Sequence, residues 1–186
     1  MKINERIPDF EFEVFHNDEI RKDKLSNYRG RWLVLLFYPA DFTFVCPTEL
    51  EDAAIHYEDF RRLNAEIISV SMDTAFVHKA WHDHSESIKK IRYPMAADPQ
   101  GRLSRAFGTY VEDEGLSLRG SFIIDPDGNL IFYEMHNNNI GRNIKEILRK
   151  LQAAIFTREN PGQVCPARWE PGKQTLRPST ELIGKI

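Results

Sequence analysis

The sequence predicts an α/β fold, in which a mixed central sheet covered by helices is followed by an extended C-terminal arm. Three observations carry that reading. Runs of branched and aromatic residues alternate with helical patterns through the first half of the chain. The turn signal Pro126-Asp-Gly128 then joins two further apolar runs as a hairpin, so strands of both directions share the sheet. From about residue 157 onwards proline and glycine recur too often for a long helix.

Residues 1–30 read as an irregular lead-in. Within it the alternation of Phe10-Glu-Phe-Glu-Val-Phe15 marks a short strand, and Asn17-Asp18 supplies turn chemistry. Trp32 to Tyr38 carries no charge and is rich in branched and aromatic side chains, the pattern of a strand buried on both faces. Pro39 closes it, having no N–H to give a continuing ladder. Cys46-Pro47 opens a helix with Glu49 and Glu51 in its positive first turn. Leu50, Ala54, Tyr57 and Phe60 continue it at helical spacing to about Leu63.

Glu66–Ser71 is the next strand, and Asp73 or Thr74 can cap the helix behind it. On that helix Val77, Ala80 or Trp81, His84 and Ile88 fall near one face. Asp98 as N-cap, Pro99 at the first helical position and Gly108 past the end punctuate a short helix. Ser121–Asp125 and Asn129–Met135 are the hairpin strands. Ile140, Ile144, Ile147, Leu148, Leu151 and Ile155 trace a strongly periodic closing helix. This order suits a thioredoxin-like fold. The arm keeps Val164, Trp169, Leu176, Leu182 and Ile183 as apolar anchors, which a disordered tail would lack. We therefore expect a domain over 1–157, and an arm over 158–186 that carries Cys165 and packs on its own body or on a second subunit.

With 186 residues, 41% of them hydrophobic and 28% charged, the chain is an ordinary globular one. A net charge of -3 gives no electrostatic reason to bind nucleic acid or an anionic membrane. Met1-Lys-Ile-Asn-Glu-Arg has no apolar run behind it, so the expected location is cytoplasmic. No stretch approaches the roughly 18 apolar residues of a membrane span. Two cysteines make neither a disulfide framework nor a zinc pattern. His78 and His82 stand one helical turn apart, but zinc takes three or four ligands and nothing completes the set, so they read as a half-solvated helix face. Asp125-Pro-Asp-Gly-Asn129 lacks the ligand spacing of a calcium loop and reads as a turn. No metal or organic cofactor is expected.

Cys46 is the candidate nucleophile, because the strand–loop–helix unit presents it among the free N–H groups of a helix start, a setting that favours thiolates. Thiolate formation is not sufficient for fast chemistry. Lowering any thiol's pKa from ~8.5 to ~6 raises its thiolate fraction roughly thirtyfold. The accompanying loss of nucleophilicity takes back about tenfold. A fast reaction therefore needs groups that orient the electrophile and stabilise its leaving group. Thr43 and the loop amides are close in sequence. Among the arginines, Arg119 stands directly before the Ser121–Asp125 strand, where strand ends converge on sites. Taken alone, Arg119 would be an ordinary surface ion pair, Glu49 a first-turn acid and Thr43 a loop residue.

Pro39-x-x-x-Thr43-x-x-Cys46, within Phe37-Tyr-Pro-Ala-Asp-Phe-Thr-Phe-Val-Cys-Pro-Thr-Glu49, closely resembles the peroxiredoxin active-site signature. Val164-Cys-Pro-Ala-Arg-Trp169 is similar to the resolving segment of the typical two-cysteine subgroup. The resemblance runs nearly end to end, through Ser69-Val-Ser, His78-Lys-Ala-Trp81, Arg119-Gly-Ser-Phe-Ile-Ile-Asp-Pro126 and Gly184-Lys-Ile186, and is strongest to the bacterial alkyl hydroperoxide reductase branch. It implies a thiol peroxidase that reduces hydrogen peroxide and organic hydroperoxides. In it Cys46 is peroxidatic, Thr43 bonds peroxide and sulfur, and Pro39 shields the sulfur. Arg119 stabilises thiolate and transition state, Glu49 orients the arginine network, and Cys165 resolves the sulfenic acid across a subunit interface. It further implies a homodimer assembling into a decamer, and a disulfide reductase partner, either a dedicated flavoprotein or thioredoxin. Ile91–Asp98 lacks the Gly-Gly-Leu-Gly insertion of peroxide-sensitive relatives, and the chain closes at Gly184-Lys-Ile186, so resistance to overoxidation is expected. A thioredoxin-type oxidoreductase is the rival on this fold, but it needs a second thiol where this chain has Cys46-Pro-Thr-Glu49. A holdase-like or relay role is a third reading.

Overall fold

The computed structural model describes residues 1–185; Ile186, the last residue of the closing motif, lies outside the described residues. The chain forms two compact units, Met1–Ile144 and Lys145–Ile186. In chain order the strands are β1 (Glu11–His16), β2 (Glu19–Lys24), β3 (Trp32–Phe37), β4 (Ala65–Ser71), β5 (Met95–Ala97), β6 (Tyr110–Val111), β7 (Leu116–Ser117), β8 (Arg119–Ile124) and β9 (Leu130–His136). The helices are α1 (Cys46–Ile55), α2 (Tyr57–Arg62), α3 (Ala75–His84), α4 (Arg102–Phe107) and α5 (Ile144–Glu159).

Seven strands form one mixed sheet in the order β2-β1-β5-β4-β3-β8-β9. In it β3 runs parallel to β4 and antiparallel to β8. Every residue of β3, β4 and β8 is buried, as strands covered on both faces must be. The core beneath them joins Leu33, Leu35 and Phe37 to Ile68, Val70 and Phe122. The rings of Phe37, Phe107 and Phe122 meet there with centroids 4.8 to 5.5 Å apart.

Several local expectations need correction. The lead-in contains a full hairpin, β1–β2, at the sheet edge. Its second strand, Glu-Ile-Arg-Lys-Asp-Lys, hides from pattern reading because charges protect an exposed edge and erase the alternation. The helix over 46–63 breaks at His56 (φ −93°, ψ 2°) into α1 and α2. Thr74 caps α3, its hydroxyl accepting from the Val77 N–H at 3.4 Å, but α3 ends at His84 and Ile88 is buried on a separate 3-10 turn. His78 of α3 is completely buried rather than half-solvated. Asp98 is not the N-cap of α4; Gly101 takes that place at φ 65°. The Asp98 carboxylate still accepts from the Leu103 and Ser104 N–H groups at 3.1 and 2.7 Å. Ile140 lies before α5 and is exposed. The short strands β5, β6 and β7 are too brief to leave a period in the sequence.

The β8–β9 turn forms as expected. Gly128 adopts φ 87°, and the Asp125 carboxylate accepts from the Asn129 backbone and side-chain N–H groups at 2.7 and 3.1 Å. In the second unit Val164 and Leu176 exchange backbone bonds of 2.9 and 3.1 Å, folding the arm back on itself. Trp169 anchors that arm to α5: its ring lies 5.1 Å from that of Phe156, and its carbonyl accepts from Arg149 Nη1 at 2.6 Å.

Candidate active site

β3 delivers the chain to the site. Phe37, Tyr38 and Pro39 are buried, so the proline seats the base of the following loop inside the protein. The loop turns through Phe42, a non-glycine residue held at φ 54°. Val45 occupies the N-cap, Cys46 is the first helical residue, and Pro47 follows where its missing N–H costs nothing. The Cys46 side chain is fully buried and its thiol is free.

Arg119 reaches the sulfur from across the sheet. Leu36 pairs with Ser121, so the residues just before Ser121 enter the space beyond the end of β3. Arg119 Nη1 lies 3.4 Å from Cys46 Sγ and 2.6 Å from Glu49 Oε2, while its Nε donates to the Asn138 carbonyl at 2.9 Å. Arg142 holds the same carboxylate from the other side. Its backbone N–H and Nε donate to Glu49 Oε1 at 2.7 and 3.0 Å, and Nη2 donates to Oε2 at 3.0 Å. Its remaining Nη1 donates to the Gly120 carbonyl at 3.0 Å. Both arginines and the glutamate are buried.

Two guanidiniums against one carboxylate leave one net positive charge beside the sulfur, in a setting that screens it weakly. Burial alone would push the Glu49 carboxyl up. The charge of Arg142, its hydrogen bonds and the charge of Arg119 outweigh burial and hold the carboxyl below the usual range. Glu49 therefore keeps both arginines aimed while remaining ionised.

The expected residues divide between the two units. Cys46, Glu49 and Arg119 are in direct contact, and Pro39 and Thr43 belong to the same loop. Thr43 is half-buried, and its hydroxyl donates to the Ala40 carbonyl at 2.8 Å. Cys165 lies in the second unit, half-buried, with Sγ 4.0 Å from the Ala153 carbonyl. Burial pushes its thiol up, against the opposing charge of Arg149. Arg142 is the site residue that sequence pattern does not reveal. It stands just before a periodic helix, the usual place of a solvated terminal residue, and only the approach of two distant segments turns it inward. The two histidines also separate: His78 bonds Asp41, whereas His82 lies near Asp18 and Asp83. Those three offer ligand-type atoms within 4.8 Å of one another, but Lys79 already neutralises Asp83 at 2.8 Å.

Residues 3–133 match the model of the AhpC/TSA family. The chain belongs to this family and is a peroxiredoxin. Residues 156–185 match a second model, the C-terminal domain of 1-Cys peroxiredoxin. Alkyl hydroperoxide reductase C of Salmonella typhimurium is 49% identical over 184 residues, covering 99% of this chain and 98% of that protein. The Staphylococcus aureus protein of the same name is 47% identical over 186 residues, with the same coverage of both chains. The crystal structure of Enterococcus faecalis AhpC aligns with a TM-score of 0.86 at 47% identity, covering 88% of this chain and 98% of that one. Reduced Plasmodium vivax 2-Cys peroxiredoxin aligns at 0.92 and 30% identity, over 96% and 94%. The thioredoxin-like fold of these neighbours is the fold of this peroxiredoxin. Among the described residues no helix is long and apolar enough to cross a membrane.

Proposed function

We propose that this peroxiredoxin reduces hydrogen peroxide and organic hydroperoxides with Cys46 as the peroxidatic thiol. The observation that carries the reading is Arg119 Nη1, 3.4 Å from Cys46 Sγ and held by a carboxylate that a second arginine grips from the other side. The Cys46 thiolate attacks one peroxide oxygen, the O–O bond breaks, and the other oxygen leaves with a proton as water or an alcohol. Arg119, already in place, meets the charge that develops on the oxygens without reorganising. Thr43 directs the peroxide, and Pro39 keeps water from the sulfur. The product is a cysteine sulfenic acid, the reversible first stage of thiol oxidation.

The Cys165 thiol then attacks the sulfenic sulfur, expelling water and forming a disulfide. In this reading the two thiols come from different subunits of a homodimer: the body over 1–157 receives the arm over 158–186 of its partner. A disulfide reductase, either the dedicated flavoprotein of an alkyl hydroperoxide reductase system or thioredoxin, restores both thiols in the cytoplasm. Dimers assemble further into a decamer. Phe42, Phe44 and Phe76, exposed by 58%, 92% and 70%, support this, because side chains of that size left in water mark a contact surface. Stopped-flow consumption of peroxide by the reduced protein tests the activity. A rate no faster than that of free cysteine would overturn it.

A further inference from the structure

The loop that carries Thr43 and leads to Cys46 is tied down by a buried polar group with no part in the chemistry described above. Asp41 lies in that loop between Pro39 and Thr43. Its Oδ1 accepts from the Tyr38 hydroxyl at 2.6 Å, and its Oδ2 lies 2.7 Å from His78 Nδ1. The other ring nitrogen, His78 Nε2, is 3.2 Å from the Ala96 carbonyl. The side chains of Asp41 and His78 are wholly inaccessible to solvent. The Asp41 N–H adds a third tie, donating to Asp73 Oδ2 at 2.8 Å. Asp73 in turn accepts from the Ser71 hydroxyl at 2.6 Å, at the end of β4.

The partners dictate where the protons sit. A carbonyl only accepts, so Nε2 must carry hydrogen. The Tyr38 hydroxyl fills Oδ1, and a single proton lies between Oδ2 and Nδ1. The group is then fully satisfied, which is what a buried polar network needs to be rigid rather than costly. Its place in the chain gives the rigidity a purpose. Phe42, the next residue, is held at φ 54°, a conformation that is unfavourable for a non-glycine residue and persists only where surroundings over-determine it. One residue further on, Thr43 points its hydroxyl at Ala40, the residue preceding Asp41.

We infer that Tyr38, Asp41 and His78 are positioning residues for peroxide capture, fixing the Pro39–Val45 loop so that Thr43 and the first turn of α1 are aimed before substrate arrives. The inference rests on the peroxidase reading of Cys46. Side-chain hydrogen bonds of the three run to one another and to the Ala96 carbonyl, not to the sulfur, so they act through the loop.

The test compares two reactions of Cys46 in the reduced full-length protein: second-order oxidation by hydrogen peroxide, which needs the loop geometry, and alkylation by iodoacetamide, which does not. Tyr38→Phe removes a single oxygen atom, and Asp41→Asn keeps an acceptor for Tyr38 with nearly the same shape. Both should lose about 10- to 100-fold in peroxide rate, the scale of a misplaced reacting group, while alkylation stays within about threefold. Asp41→Ala should lose more than Asp41→Asn. Peroxide rates equal to wild type in both gentle variants would overturn the inference. So would a loss of peroxide rate accompanied by a lowered melting temperature and markedly faster alkylation, since that pattern means general loosening that exposes the buried thiol. A wild-type protein no faster than free cysteine would instead remove the peroxidase reading, so the two failures are distinguishable.

Discussion

Cys46 gains its chemistry from what surrounds it, and Arg119 is the charged side chain that touches it. In the proposed mechanism Arg119→Ala removes the donor that meets charge on the breaking O–O bond. Loss of one such donor costs about 10²–10³ in rate, which stopped-flow oxidation of the reduced protein would read. Glu49 is a different kind of residue, since it holds two buried guanidiniums. Glu49→Ala leaves both charges uncompensated and should destabilise the fold by about 3–5 kcal/mol in urea titrations. Because its carboxyl is held below the ordinary value, the contribution of Glu49 is present above about pH 4.3, the unfolded value, and is lost as pH falls through the lower folded one. Urea midpoints measured from neutral pH down into the acid range should therefore drop at the acid end. A Glu49→Gln variant should start lower and drop less.

At the scale of elements, the proposed cycle gives α1 two duties that conflict. Its first turn must be ordered to bury Cys46 against Arg119, yet a fully buried sulfur cannot form a disulfide with a thiol from another subunit. In the proposed cycle the start of α1 loosens on oxidation. Amide exchange over Cys46–Leu50 should be faster in the disulfide form than in the reduced form; equal protection in both would count against an intersubunit bridge at Cys46. The arm has its own signature. Cys165→Ser should consume one peroxide per subunit and then stop with a dithiol reductant, and oxidised wild type should run as a covalent dimer on a non-reducing gel. Burial holds the Cys165 thiol above its ordinary value, so disulfide formation after sulfenic acid should quicken as pH rises past neutrality.

At the scale of the whole molecule, large apolar side chains stand in water on the loop before α1 and at the start of α3. Phe42 also meets Trp81, ring centroids 5.9 Å apart, which ties the loop to α3. If this surface is the contact between dimers, Phe44→Arg or Phe76→Arg should halt assembly at the dimer in sedimentation velocity while leaving the disulfide dimer intact. An unchanged assembly size would place that contact elsewhere.

The chemistry-bearing stretch was legible in the sequence because it is local. A buried strand, a closing proline and a cysteine opening a helix follow from side-chain type and spacing alone, and the resemblance of Pro39–Glu49 added the reaction. The β8–β9 hairpin and α5 were legible for the same reason, since turn chemistry and helical periodicity need no distant partner. Arg142, the burial of His78 and the edge strand β2 were not, although the strand β1 and the Asn17-Asp18 turn before β2 were. Each depends on what packs against it: Arg142 on Glu49, His78 on Asp41, and β2 on the strand it pairs with. Sequence alone determined that this chain presents a thiol at a helix start on an α/β scaffold. Tertiary structure decided which charges and hydrogen bonds surround that thiol, because those arise only when segments far apart in the chain are brought within a few ångströms and closed off from water.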